Sequence, residues 1–414
     1  MGTPSLFQLL RKHFVPDISM TDRFKNILLS HQLWIIVFGF IFSAAVIFNS
    51  GLFSVARDGN FSTQRARVLS VDDSNLLPDP NYQNMILGTQ ILEIEFLTGE
   101  YKGRVFNNIE NKLQPLFNNI TKEGMVMLFN IRSQNGEAIK IDMFGYSRDG
   151  LVYALAGLFI FVLVAIGRKK GLYSAIALAF TIVTVIYFMA PAILKGHSPI
   201  LMAIVTAVIT SVFTIFLIAG ISLKSFATIG GIVIGVAGAG IIGIISGNIG
   251  HVSGLNLSDA DGVLFLAKDL PINIPELLPA GIIIAALGAV MDLAMSISSA
   301  VFEVKKANTR LDMRRLYQSG MNIGRDTMGT MSNTLILAFA GSSFSVLIII
   351  VLYQLPYMCL INLNLFVIEI IQGVSGCIGL FLAVPVTALL AAVLASENRI
   401  TLFLKNNFGW TDEG

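Results

Sequence analysis

The sequence predicts an α-helical integral membrane protein of about eight transmembrane helices, with a small all-β extracytoplasmic domain inserted after the first. Three observations predict it. The chain is 54% hydrophobic and only 13% charged, whereas soluble domains carry about 25% charged residues. Several windows exceed the roughly 18 apolar residues of a candidate spanning helix. Between the first two of them, Ser54 to Asp149 breaks the pattern with charges and turn residues throughout.

The first apolar run, Leu33 to Ser50, follows a segment containing Arg11, Lys12, Arg23 and Lys25 and lacks an A-x-A cleavage site, so it reads as an uncleaved signal anchor. Spans are expected at 33–53, 150–167, 171–190, 199–220, 228–248, 278–303, 331–353 and 375–395. An even number of crossings puts both termini on one side. Arg168, Lys169, Lys170, Lys224, Lys305, Lys306, Arg310, Arg314, Arg315, Arg325, Arg399 and Lys405 fall with the N-terminus, and the opposite short loops offer only Lys195 and Lys268. By the positive-inside rule both termini are cytoplasmic. The chain thus divides into a cytoplasmic segment 1–32, a first helix 33–53, an outer domain 54–149, a seven-helix membrane domain 150–397 and a cytoplasmic tail 398–414.

Within the outer domain, "RARVLSV", "TQILEIEFL", "GRVFNNI", "MVMLFNI" and "EAIKIDMFGY" alternate with a partial period of two, and turn-like "LTGEYKG" and "SQNGE" separate some of them. A small barrel of the OB or SH3-like kind is expected. The domain contains neither cysteine nor histidine, so its role is to bind a partner or to act as a spacer. Late in the chain, "LNLFVIEIIQGVSG" carries Asn364, Glu369 and Gln372 among apolar residues and reads as a helix lying in the interface. The connecting "NTRLDMRRLYQSG" reads as a short amphipathic cytoplasmic helix, with Thr309 as N-cap and Gly320 as its C-terminal stop.

The chemistry centres on "GAVMDLAMSISSAVFEVKK", which places Asp292 about a dozen residues from each end of its span, near the bilayer midplane. A charged carboxylate there costs about 2.5 kcal/mol or more, so it must be protonated, paired or hydrated. Helical periods from Asp292 reach Ser296, Ser299 and Glu303 toward the cytoplasm and Gly288, Ala285 and Gly281 toward the outside. The next span places Asp326, Thr330 and Asn333 at i, i+4 and i+7, with Arg325 at the cytoplasmic entrance. These two polar stripes are expected to meet, forming a narrow proton- or cation-binding path. Arg325 or a loop lysine is a partner for Glu303, unless that residue is a solvated helix-end carboxylate. Asp292 itself either titrates in transport or holds helices together by hydrogen bonding.

Gly231, Gly235, Ala239, Gly243 and Gly247 recur at four-residue intervals in the fifth span, a small-residue stripe for close packing within the chain or between two chains. Cys359 and Cys377 have no metal or redox spacing and read as packing residues. His197 and His251, with Asp259, Asp261 and Asp269, show no metal-ligand spacing, and P-loop, G-x-S-x-G and H-E-x-x-H motifs are absent. No cofactor and no enzymatic activity are expected. A net charge of +2 points to no nucleic-acid partner; the lipid bilayer is the expected environment.

"LLPAGIIIAALGAVMDLAMSISSAVFEVKKAN" followed by "SGMNIGRDTMGTMSNTLILAFAGSS" resembles the signature region of the YibE/F-like family of bacterial multi-pass membrane proteins, a likeness covering roughly residues 150–397. Leu293, where the family pattern has valine, is the one departure. The resemblance implies a bacterial plasma-membrane protein whose outer β-rich domain marks a long member. Its expected partner is a shorter relative as second subunit, or a second copy. A weaker likeness links the arrangement to the protein-export SecD/SecF pair and its RND relatives, which pass protons through a mid-membrane aspartate. The expected function is a proton- or cation-coupled transporter or export-assisting protein; the alternative is a non-transporting scaffold or receptor whose outer domain binds an envelope partner.

Overall fold

A computed structural model describes residues 31–49, 61–79, 85–114, 118–134, 137–257, 262, 265 and 270–396, and the chain divides into two compact units, Gly51–Arg168 and the remainder. The N-terminal basic residues, Lys268, the outer-loop aspartates 259, 261 and 269, Arg399 and Lys405 lie outside the described residues.

The five alternating runs of the inserted domain are five strands: β1 Phe61–Pro78, β2 Ile86–Phe96, β3 Val105–Leu113, β4 Val126–Gln134 and β5 Glu137–Tyr146. They form one antiparallel sheet in the order β3-β2-β1-β4-β5. The period of two decides which side is buried. Along β2, Gln90, Leu92, Ile94 and Phe96 face the core, where Phe96 meets Phe106 edge-on at 5.5 Å and Phe129 at 6.2 Å. Each such fully buried large side chain contributes about 1.5–3 kcal/mol. Gln90 and Asn111 are buried polar groups that are fully used: Asn111 Nδ2 donates to Gln90 Oε1 at 2.9 Å and Gln90 Nε2 donates to the Thr121 carbonyl at 3.0 Å. The sheet is curled but open. Its edge strands β3 and β5 are not paired with each other, and a groove of about 580 Å³ runs between them, lined by Asn108, Glu110, Lys112, Lys140 and Asp142 among others. The pairing gives a curled five-stranded sheet, a coarser result than the OB or SH3-like barrel expected from the strand runs, because closure of a sheet depends on contacts distant in sequence that alternation does not encode.

Following these come α1 His31–Asn49, at the chain's start, and α2 Asp149–Val183, whose helical dihedrals break at Arg168 (φ 50°, ψ −128°). A π-helical turn, Thr184–Met189, leads into α3 Ala190–Leu194. The rest are α4 Pro199–Ala219, α5 Leu223–Gly250, α6 Leu277–Ala307, α7 Met313–Ser342, α8 Phe344–Tyr353, α9 Tyr357–Ile361 and α10 Asn364–Ala395. Among the described residues, six helical stretches are long and apolar enough to cross a membrane, seven if α7 and α8, bent by 68°, are one span. This composition fits a membrane protein.

Two expected boundaries are corrected. Helix α7 starts at Met313 behind an Asp312 cap, whose carboxylate accepts from the Arg315 amide at 3.3 Å, and runs straight through Gly320. Thr309 is not the cap; its carbonyl accepts from Lys305 Nζ at 2.6 Å, closing the α6–α7 turn. Gly320 does not stop the helix because it is needed inside it: an added Cβ would lie 2.9 Å from both Ala388 and Val301. Likewise Asn364, Glu369 and Gln372 are not on a separate interfacial helix but on the first turns of the 32-residue α10. The site-bearing bundle is α4, α5, α6, α7 and α10, with Val290, Leu293, Ala294, Ile297 and Val301 of α6 fully buried at its centre.

Candidate functional site

Helices α5 and α10 make the closest approach in the bundle, and the glycine stripe explains it. A Cβ on Gly235 would lie 2.8 Å from Ala383 Cβ and Val290 Cγ1, and 3.0 Å from the Gly379 carbonyl oxygen. Gly231 faces Thr387 and Ala239 faces Gly379. The lower part of the stripe thus meets a matching one on α10, Gly379, Ala383 and Thr387, at the same four-residue spacing. Sequence reading missed that second stripe, although "GLFLAVPVT" carries the small-residue repeat that reveals it. Gly243 and Gly247 turn elsewhere: Gly243 takes the tip of Ile282 of α6 at 2.8 Å, and Gly247 approaches the Val252 carbonyl.

Helix α7 packs on α6 and α10 through Gly320 and Gly324. Gly320 sits at Val301 and Ala388, and Gly324 at Ile297 and Val384. Four residues forward on α7 thus match four residues back on α6, and this antiparallel register carries Gly329 to the depth of Asp292. Thr330 lies within about 1.5 Å of the same depth, and Asn333 about one turn away, level with Gly288.

That register settles depth, and burial settles direction. The packed side of α6 is Ala286, Val290, Leu293, Ala294, Ile297 and Val301. Asp292, Ser296 and Glu303 lie on the opposite, exposed side, with Ser299 half-buried at its edge and Gly281, Ala285 and Gly288 exposed above. Helix α7 behaves alike: Leu316, Gly320, Gly324 and Leu335 are buried, while Asp326, Gly329, Thr330 and Asn333 are exposed. The α6–α7 seam is therefore apolar, and the two polar stripes do not meet across it as the sequence reading expected. They lie side by side in depth on outward faces instead. Periodicity defines a stripe but not which way the helix is turned in the bundle.

The hydrogen bonding on these faces is local. Ser296 Oγ donates to the Asp292 carbonyl at 2.8 Å and Thr330 Oγ1 to the Thr327 carbonyl at 2.9 Å, each a turn-to-turn bond that satisfies a hydroxyl in an apolar medium. Among the described residues no hydrogen bond or ion pair reaches the carboxylates of Asp292, Glu303 or Asp326 or the side-chain amide of Asn333. Neither Arg325 nor a loop lysine pairs with Glu303; the charge nearby is Lys224, at the start of α5, which also feels Lys170. Ser298, unremarked in the sequence, donates from the buried side of α6 to the Lys224 carbonyl at 2.9 Å and fixes α6 to that end of α5. Cys377 is buried against the Ser332 carbonyl, consistent with packing, but Cys359 is exposed on α9. Two buried oxygens in α10, Glu369 Oε2 and Thr387 Oγ1, have no hydrogen-bond partner among the described residues.

Asp292 thus stands at mid-helix on the outward face of α6, with Ser296 one turn along and open glycine surface around it. A family model, YibE/F-like protein, matches residues 155–397, which include every residue of both stripes. No curated protein and no solved structure matches the chain, and the likeness to SecD/SecF is not borne out.

Proposed function

Since the chain belongs to the YibE/F-like protein family, and its family region carries an exposed mid-helix aspartate, we propose that it is a proton- or cation-coupled membrane transporter or export-assisting protein. The observation that carries this reading is Asp292: it stands about 22 Å along α6 from either end, outward-facing, with no partner among the described residues. Neutral Asn or Ser would serve as interhelical glue at lower cost, and glue belongs at a helix seam. Asp292 is away from the seam. Ser296, Ser299 and Glu303 lead from it toward the basic end of α6, and Asp326, Thr330 and Asn333 flank it on α7.

The test uses dicyclohexylcarbodiimide, which modifies protonated carboxyls in apolar surroundings. Modification mapped to Asp292 by mass spectrometry should stop cation-coupled flux in proteoliposomes, and Asp292→Asn should remove both the label and the flux. Stoichiometric modification of Asp292 with undiminished flux contradicts the proposal.

The reading includes eight crossings with both termini cytoplasmic and residues 54–149 outside. Asp149–Leu194 is a 46-residue stretch, about 69 Å long if straight, against a hydrocarbon thickness of about 30 Å. The break at Arg168 divides it into two spans, and the α7–α8 pair supplies one bent span. Gln318 and Glu123 are both exposed. A cysteine at Gln318 should resist an impermeant thiol reagent in intact spheroplasts and one at Glu123 should label; labelling at Gln318 reverses the orientation.

A second reading, a scaffold or receptor that does not transport, is favoured only by the open groove between β3 and β5, whose free strand edges suit an extended peptide. It leaves Asp292 without a role.

A further inference from the structure

The outer domain leaves its two edge strands facing each other. Every neighbouring pair in the order β3-β2-β1-β4-β5 is antiparallel, so β3 and β5 run in the same direction on either side of the groove of about 580 Å³. Along each edge, alternate residues turn their N–H and C=O away from the single ladder partner and into the groove. No hydrogen bond among the described residues crosses from one edge to the other. Bulges mark out the usable lengths: the pairing skips Asn107 and Asn108 of β3, where Asn108 takes the left-handed conformation (φ 58°), and Ile139 and Phe144 of β5. Between them, residues 109–113 and 140–143 are regular. Ile109, Ile141 and Met143 on these stretches pack on the core but stay only half-buried. On the outer side Glu110 pairs with Lys112 at 3.1 Å and Lys140 with Asp142 at 2.7 Å, so the charges along the rim are already neutralised within each strand.

We propose that an extended segment of another polypeptide, about five residues long with apolar side chains at alternate positions, enters this groove as a sixth strand antiparallel to both β3 and β5. Two observations choose that occupant. What the edges leave unmet is a row of backbone donors and acceptors at the strand repeat, and another extended backbone matches such a row along its whole length. Direct closure would make β3 and β5 the one parallel pair in an antiparallel sheet, whereas strands of alternating direction close a ring when there are six of them. The period of two then sorts the segment's side chains. Alternate ones cover Ile109, Ile141 and Met143, and those between lie level with the self-paired charges. A strand between the edges needs about 9.6 Å, two spacings of about 4.8 Å, and Cα atoms of β3 and β5 come within 8 Å of each other. The edges therefore part where they are nearest, with no hydrogen bond between the described residues of the two strands to break. The sixth strand rests on the same groove as the second reading above and does not depend on ions crossing at Asp292; a domain that bound a folded partner by another surface would keep that reading and fail the test below.

The experiment uses full-length wild-type protein in detergent micelles and a fluorescein-labelled peptide of four Thr-Val repeats flanked by lysines. Fluorescence anisotropy should show saturable binding, and backbone hydrogen–deuterium exchange should slow at residues 109–113 and 140–143 when the peptide is added. One version of the peptide N-methylated at every valine and another at every threonine should each bind at least tenfold more weakly, because alternate amides of a strand between two edges donate to opposite sides. The protein is the same in every arm, so no loss of binding can come from misfolding. Absence of saturable binding, slowed exchange elsewhere with none at these two stretches, or undiminished binding of both N-methylated peptides overturns the proposal. Weakening by only one of the two N-methylated sets puts the peptide on a single edge and overturns the sixth strand as well.

Discussion

Gly235→Leu is expected to abolish the packed bundle, with a loss of stability at or above about 3 kcal/mol, the upper end of what overpacking a core costs. Even a methyl group at this position meets backbone: its Cβ would be 3.0 Å from the Gly379 carbonyl oxygen and 2.8 Å from Ala383 and Val290. None of those atoms is the far end of a flexible chain that can swing aside except Val290 Cγ1. Leucine's further carbons have nowhere to go unless α5 and α10 separate. Gly379→Ala tests the same contact from the other helix, since its Cβ would lie 2.6 Å from the Gly235 carbonyl oxygen and 2.5 Å from Ala239. Gly243→Leu should cost much less, because only the Ile282 tip opposes it. Melting of the purified protein in detergent measures the series. Equal tolerance at Gly235 and Gly243 contradicts the α5–α10 packing.

Asp292→Asn is expected to do the reverse, leaving the fold intact and removing function. The side chain is exposed and no hydrogen bond holds its carboxylate among the described residues, so the change in stability should be about 0.5 kcal/mol or less. Asp292→Leu should spare the fold as well, whereas a glue role would make it damaging. Coupled flux should fall on the order of a hundredfold, the lower end of what loss of a proton-transferring side chain costs. Asp292→Glu keeps the titrating group, one methylene further out, and should retain part of the flux. Loss of stability in Asp292→Leu without loss in a lipid-facing control such as Ile234→Ala would move the residue back into the structural class.

The sequence was most informative where short-range patterns decide the outcome. All five strand runs are strands, since alternation of large apolar residues with polar ones builds a one-sided sheet regardless of partners. The Gly231, Gly235, Ala239 repeat packs as close-approach geometry requires. What failed was long-range. Gly320 has the local look of a helix stop, yet Ala388 and Val301 occupy the space where its side chain would be, and packing overrode propensity. The polar residues at the start of α10 looked interfacial, but an unbroken turn pattern carried the helix through them to Ala395. Sheet order, and the rotation that sends Asp292 and Asn333 outward, depend on partners distant in sequence. The order of polar residues along α6 and α7 was legible in the sequence; the direction in which they face was not.

Electrogenic cation flux into sealed proteoliposomes, followed with a pH-sensitive dye while a pH step and a membrane potential are imposed, measures the central claim directly. Wild-type protein should acidify the lumen in response to the gradient, and Asp292→Asn from the same preparation, equally folded by melting, should show only the leak of empty liposomes. Flux in Asp292→Asn equal to that of the wild type contradicts the account and leaves the aspartate without a part in transport.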